Sequence, residues 1–198
     1  MVEDNAKIIS NRLQDICKLH SNIVLISVSK GSLETNLALN QYLKLSNMTS
    51  IKAWINTCGI LNGTPLADYW AKPIRKMWMS MGLFFLGKRD IHITALLNNL
   101  SYKRVKKSYS TLPVSNIYTV NLIGVPLGKK RNKIFTEPND GYSKLVDEIV
   151  DRGLTITEVG ADHTFENIDL NIRFAAILNY VNSKVVALPN REASTIIN

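Results

Sequence analysis

Cysteine is scarce in this chain of 198 residues, where Cys17 and Cys58 stand far apart. Two thiols exclude a disulfide-rich scaffold and fit a reduced compartment. Histidine is nearly as rare. His20, His92 and His163 show no tight spacing with cysteine, so no structural zinc site is expected. Long apolar runs are missing too. The longest, Met77 to Leu86, is too short to span a bilayer and carries Ser80 and Gly82. The start, Met1-Val2-Glu3-Asp4, lacks the basic head of a signal peptide. These absences predict a cytoplasmic protein. Acidic residues number 16 against 24 Lys plus Arg, leaving a net charge of +8. With 45% hydrophobic and only 20% charged residues, the chain can bury a core, and its length suits one domain over residues 1–198. No internal repeat or low-complexity segment is visible.

Apolar residues between 5 and 20 follow helical spacing, and a β-branched run, Ile23–Val28, comes next as a buried strand. Leu33, Leu37, Leu39, Tyr42 and Leu43 predict a second helix. Ile51–Thr57, Ile117–Gly124 and Leu154–Gly160 read as further strands. Tyr142–Arg152 and Ile168–Val181 read as helices, with Asp140 or Ser143 capping the first and Asn167 or Asp169 the second. Strands that are apolar throughout and alternate with helices predict an α/β fold with a mostly parallel sheet flanked by helices. Between the second and third strands lies an insertion over residues 66–116, too long for an ordinary connection. Helices are expected within it near Leu66–Leu86 and Ile91–Leu100.

The first strand runs straight into Ser27-Val28-Ser29-Lys30-Gly31-Ser32 and then a helix. A turn there lifts the Ser29 side chain clear of the sheet, and so tight a turn asks for small residues two before and two after the serine. Ser27 and Gly31 are small. The Lys30 N–H lies at the helix N-terminus, where partial positive charge favours an oxyanion.

Ser27-x-Ser29-x-Gly31 resembles the nucleophile elbow of the α/β-hydrolases, with Ser27 where glycine is more usual. That fold places an acid and then a histidine after the serine, at the C-terminal ends of later strands. Asn139-Asp140-Gly141 follows the third strand here, and Gly160-Ala161-Asp162-His163 follows the fourth. The segment Asn62–Asp68 resembles the post-strand segment of lipase-like members. The likeness covers nearly the whole chain.

The resemblance implies a serine esterase or lipase-like hydrolase acting on a small-molecule or lipid ester with an apolar acyl group. Ser29 would be the nucleophile, His163 the general base, Asp140 its orienter and the Lys30 N–H an oxyanion donor. Asp162 is a rival orienter, but it adjoins His163, and neighbouring side chains on extended backbone point apart. No metal or organic cofactor is implied. The insertion would be a helical cap or lid, with Trp78, Phe84 and Phe85 on the substrate. Bordered by Lys72, Arg75 and Lys76, the same helix would suit peripheral membrane contact.

The fold usually has eight strands and only four are legible, so the hydrolase fold is expected to be partial and abbreviated at its N-terminus. No counterpart of the loop that gives the second oxyanion N–H is visible, a loss of roughly 10²–10³ in turnover. The first strand becomes an apolar edge that invites self-association. The alternative is therefore a weak or inactive hydrolase-like module that binds a protein partner or itself. The basic runs Lys103–Lys107 and Lys129–Lys133 each carry four positive charges. Nucleic-acid binding is disfavoured, because the aromatic interleaving needed for base stacking is absent.

Overall fold

The computed structural model describes residues 2–87, 92–108, 117–128, 134–166 and 168–187. Helix α1 (Val2–Leu19) opens with Glu3 and Asp4 and closes with Lys18, charges that complement the helix dipole. It leads into strand β1 (Ile23–Val28). Helix α2 (Lys30–Leu37) continues as a π-helical turn over Ala38–Tyr42, followed by the single-turn α3 (Leu45–Met48) and strand β2 (Ile51–Thr57). Four helices fill the next segment: α4 (Pro65–Trp70), α5 (Pro73–Phe85), α6 (Ile93–Leu100) and α7 (Tyr102–Ser108). Strand β3 (Tyr118–Val125), a short 3-10 turn (Leu145–Glu148), strand β4 (Leu154–Val159) and helix α8 (Leu170–Ala187) complete the described chain.

The strands form one parallel sheet in the order β1-β2-β3-β4. Side-chain alternation divides its two faces. Trp54 of β2 packs with Leu13, Leu39, Leu43 and Val150 on one face, while Ala53 and Ile55 pack with Val120, Leu122, Phe165, Ile177 and Val181 on the other. The first face is covered by α1 and the π-helical turn, the second by α8. A third cluster joins Val2 and Ala6 of α1 to Leu33 and Leu37 of α2 and to the fully buried Val105 of α7. Strands β2 and β3 are central and nearly sealed, whereas β1 and β4 are edges that leave Ile26, Val28 and Val159 exposed.

Two expectations need correction. Tyr142–Arg152 is no α-helix. Its backbone groups are taken by side chains instead: the Asp140 carboxylate accepts the N–H of Tyr142 and of Ser143, each at 2.8 Å, and Asn121 accepts that of Val150 at 3.0 Å. Such local side-chain bonds compete with the helical ladder, and one 3-10 turn survives. The expected helix over Leu66–Leu86 is two helices. Pro73 at the start of α5 cannot donate to the preceding turn, so α4 ends at Trp70. Helix α7 is not legible in the sequence, because charge hides its one buried apolar position. Asp169 caps α8, accepting from Asn171 N at 2.9 Å. Lys129–Lys133 and Asn167 lie outside the described residues.

Candidate active site

Ser29 sits between the C-terminal end of β1 and the first residue of α2, with φ 54° and ψ −127°. A non-glycine residue held there is strained, and the surroundings must over-determine it. They do so through the main chain. Ser29 donates its N–H to Thr57 O at 3.0 Å, and its carbonyl accepts from Ser32 N and Ile60 N, each at 3.1 Å. Beneath it, Ser27 Oγ accepts from the Trp54 indole at 2.7 Å and shares a 2.9 Å bond with Ser32 Oγ. Ser27 is therefore a buried polar tie as well as a small residue. The requirement for smallness at Gly31 is not seen: a Cβ there would meet no atom within 4 Å. The Lys30 N–H begins α2, where the first N–H groups have no intrahelical acceptor.

His163 reaches Ser29 from the loop after β4. Its Nε2 lies 2.8 Å from Ser29 Oγ, and its Nδ1 is hydrogen-bonded to Asp140 Oδ2. Asp140 is fully buried and His163 only 7% exposed, so the pair is shielded from competing water. The loop is set by Gly160, which takes the left-handed φ of 94° and donates to Val125 O at 2.9 Å. His163 N donates to Asp140 O at 3.0 Å, and Tyr142 lies against the imidazole with ring centres 4.8 Å apart. Asp162 turns away: its carboxylate accepts from Thr164 N and Thr164 Oγ1.

Both free positions of Asp140 Oδ1 are filled by the Tyr142 and Ser143 N–H groups. Behind it lies a second carboxyl group. Glu148 is wholly buried, with Oε1 2.6 Å from Ser143 Oγ and Oε2 without a hydrogen-bond partner. Burial first, and then the neighbouring Asp140 charge, hold the Glu148 carboxyl well above the ordinary carboxylate range. Asn56 of β2 donates to Glu148 O at 2.6 Å and to Asn121 Oδ1 at 2.9 Å. Asn121 of β3 in turn donates to Val150 O at 3.1 Å. Two central-strand asparagines thus clamp the loop that carries the acid. From the other side, Thr64 Oγ1 donates to Tyr142 O, and Asn62 Nδ2 donates to Asp147 Oδ1 at 3.1 Å.

Sequence reasoning missed Asn56, Asn121, Ser143 and Glu148. A signal was present for two of them: asparagine in the middle of an apolar, buried strand demands a partner. The structure brings Ser29, His163 and Asp140 into one hydrogen-bonded chain. It leaves Trp78, Phe84 and Phe85 more than half exposed on α5, whose main neighbours are α4 and α6.

Cys58, Asp140 and His163 also present donor atoms within 4.8 Å of one another. That set fits a metal poorly. Burial, and then the neighbouring Glu148 and Asp140 carboxyl groups, push the Cys58 thiol far above its usual range, so it stays protonated. Both imidazole nitrogens are already engaged. The arrangement is suited to moving a proton from Ser29 to His163, with Asp140 steadying the resulting charge.

No family model matches the sequence, and no curated protein matches it. Solved structures do. The mature form of Bacillus licheniformis lipase BlEst2 superposes with a TM-score of 0.64 at 18% identity, covering 91% of this chain and 74% of the lipase. Its propeptide form gives 0.63 at 16% identity, covering 91% of this chain and 40% of that one. A metagenomic carboxyl esterase gives 0.63 at 20% identity, covering 90% of this chain and 61% of its own. The chain shares its fold with these lipase and esterase structures and spans only part of the length of each.

Proposed function

We propose that this chain is a serine hydrolase that cleaves a carboxylic ester with an apolar acyl group. The observation that carries the reading is Ser29 Oγ at 2.8 Å from His163 Nε2 while Nδ1 is held by a buried carboxylate. With Nδ1–H donating to Asp140, Nε2 is the unprotonated nitrogen and accepts the Ser29 hydroxyl. As Ser29 Oγ attacks the ester carbonyl carbon, His163 takes its proton, and the Lys30 N–H faces the developing oxyanion. Collapse breaks the bond to the alcohol oxygen, which leaves with the proton from His163. Water, deprotonated by His163, then attacks the acyl-serine, releases the acid and restores Ser29. The solved lipase and carboxyl esterase that share this fold support ester over other acyl substrates.

The test is labelling by a fluorophosphonate probe, read by intact mass. Wild type gains one adduct; Ser29→Ala gains none and loses hydrolysis of p-nitrophenyl esters. An unlabelled, folded wild type overturns the reading. It would favour the second one, a module that associates through its β1 edge, where Ile26 and Val28 are 46% and 49% exposed.

A further inference from the structure

Helix α5 is packed inside out. Its less exposed positions, Arg75, Lys76, Met79 and Leu83, include two cations turned toward the rest of the protein. The Arg75 guanidinium lies over the Tyr69 ring at 3.6 Å, and Lys76 Nζ donates to Thr94 Oγ1 at 3.3 Å. The opposite face holds Ile74, Met77, Trp78, Met81 and Phe85 at helical spacing, between 42% and 79% exposed, and none of the helix's residues is buried. A helix that spends its apolar stripe on solvent is the reverse of what a core requires.

Charge says what covers the stripe. Residues 65–108, which hold α4 to α7, contain nine basic residues against two acidic ones, so this unit alone carries seven of the chain's eight net positive charges. No acidic residue occurs anywhere in Lys72–Leu86. Lys72 at the head of α5 and Lys103 and Lys106 on α7 are exposed. Repulsion disfavours a second copy of so basic a unit, whereas an anionic bilayer offers acyl chains to the stripe and phosphates to the exposed lysines.

We propose that α5 docks the protein on an anionic phospholipid surface, its Ile74–Met77–Trp78–Met81–Phe85 stripe entering the headgroup boundary with the lysines of the α4–α7 unit on the lipid phosphates. Such adsorption needs no turnover, so it stands or falls apart from ester hydrolysis.

Flotation with vesicles tests it, using phosphatidylcholine alone and phosphatidylcholine mixed with phosphatidylserine. Wild type floats with the anionic vesicles at low salt, is released as salt rises, and blue-shifts its Trp78 emission. Met77→Ser/Trp78→Ser/Phe85→Ser, all at exposed sites, floats roughly ten-fold less or worse. Lys72→Glu/Lys103→Glu, which leaves the stripe intact, is released at lower salt. Circular dichroism checks that both variants are folded. Wild type remaining in the aqueous fraction overturns the proposal, as does equal, salt-insensitive binding to neutral vesicles. A wild-type dimer that the triple variant converts to monomer, without lipid binding, makes the stripe an interface between copies and also overturns it.

Discussion

Glu148 is a carboxyl group buried against another carboxyl group, and its neutral form is what the fold tolerates. The ionised form lacks water, faces Asp140, and has one oxygen without a donor. The folded state therefore holds its proton to higher pH than the unfolded chain does, where the ordinary value is 4.5. Stability tied to this group is complete below that value and drains away as pH rises toward the folded value. Glu148→Gln removes the titration but keeps shape and a polar bond to Ser143. Its stability relative to wild type is thus expected to improve between pH 5 and pH 8, measured by paired urea melts. Asp147, also raised by burial, contributes with the same sign to both proteins and cancels. A pH-independent difference would show that Glu148 ionises freely. Glu148→Ala strands the Ser143 hydroxyl and loosens the acid loop, so it should lose acylation rate where Glu148→Gln keeps most of it.

At the scale of the element, legibility followed the chemistry of each segment. The four strands could be read from their β-branched runs, although only β2 and β3 are sealed on both faces, and Ser29 could be read because a strand runs directly into a helix through small residues. Tyr142–Arg152 misleads because its apolar spacing is helical while its hydrogen bonds go to Asp140 and Asn121, partners 2 to 29 residues away in sequence. The site's order, serine then acid then histidine, was visible; the clamps behind it were not, since they exist only once β2 and β3 lie side by side. One such packing constraint is testable. A Cβ on Gly124 of β3 would sit 2.7 Å from Asp162 O, in the backbone of the loop that presents His163. Backbone cannot swing aside as a side chain can. Gly124→Ala should destabilise by about 1–3 kcal/mol and slow fluorophosphonate labelling. Gly31→Ala, with open space around it, should leave the melt nearly unchanged. Equal effects at both positions would mean that the loop adapts freely.

For the whole molecule, net charge and apolar surface act against each other. A charge of +8 repels copies at long range, yet among the described residues β1 presents an unpaired backbone edge with Ile26 and Val28 half exposed beside it. Edge pairing is short-ranged and is hardly weakened by salt, whereas the repulsion is screened within about 10 Å at 0.1 M ionic strength and about 3 Å at 1 M. Self-association measured by sedimentation velocity should therefore rise with salt, opposite to the release of the protein from anionic vesicles. Ile26→Lys places a charge on the edge strand, the means by which edges are ordinarily blunted, and should hold the protein monomeric across the salt range. Substituting Trp78 and Phe85 should leave the same series unchanged, because α5 is not part of that edge. If the α5 substitutions abolish association and Ile26→Lys does not, the pairing surface is the helix and the β1 edge stays free. The two apolar features are thereby assigned to different partners by the opposite signs of their salt dependence.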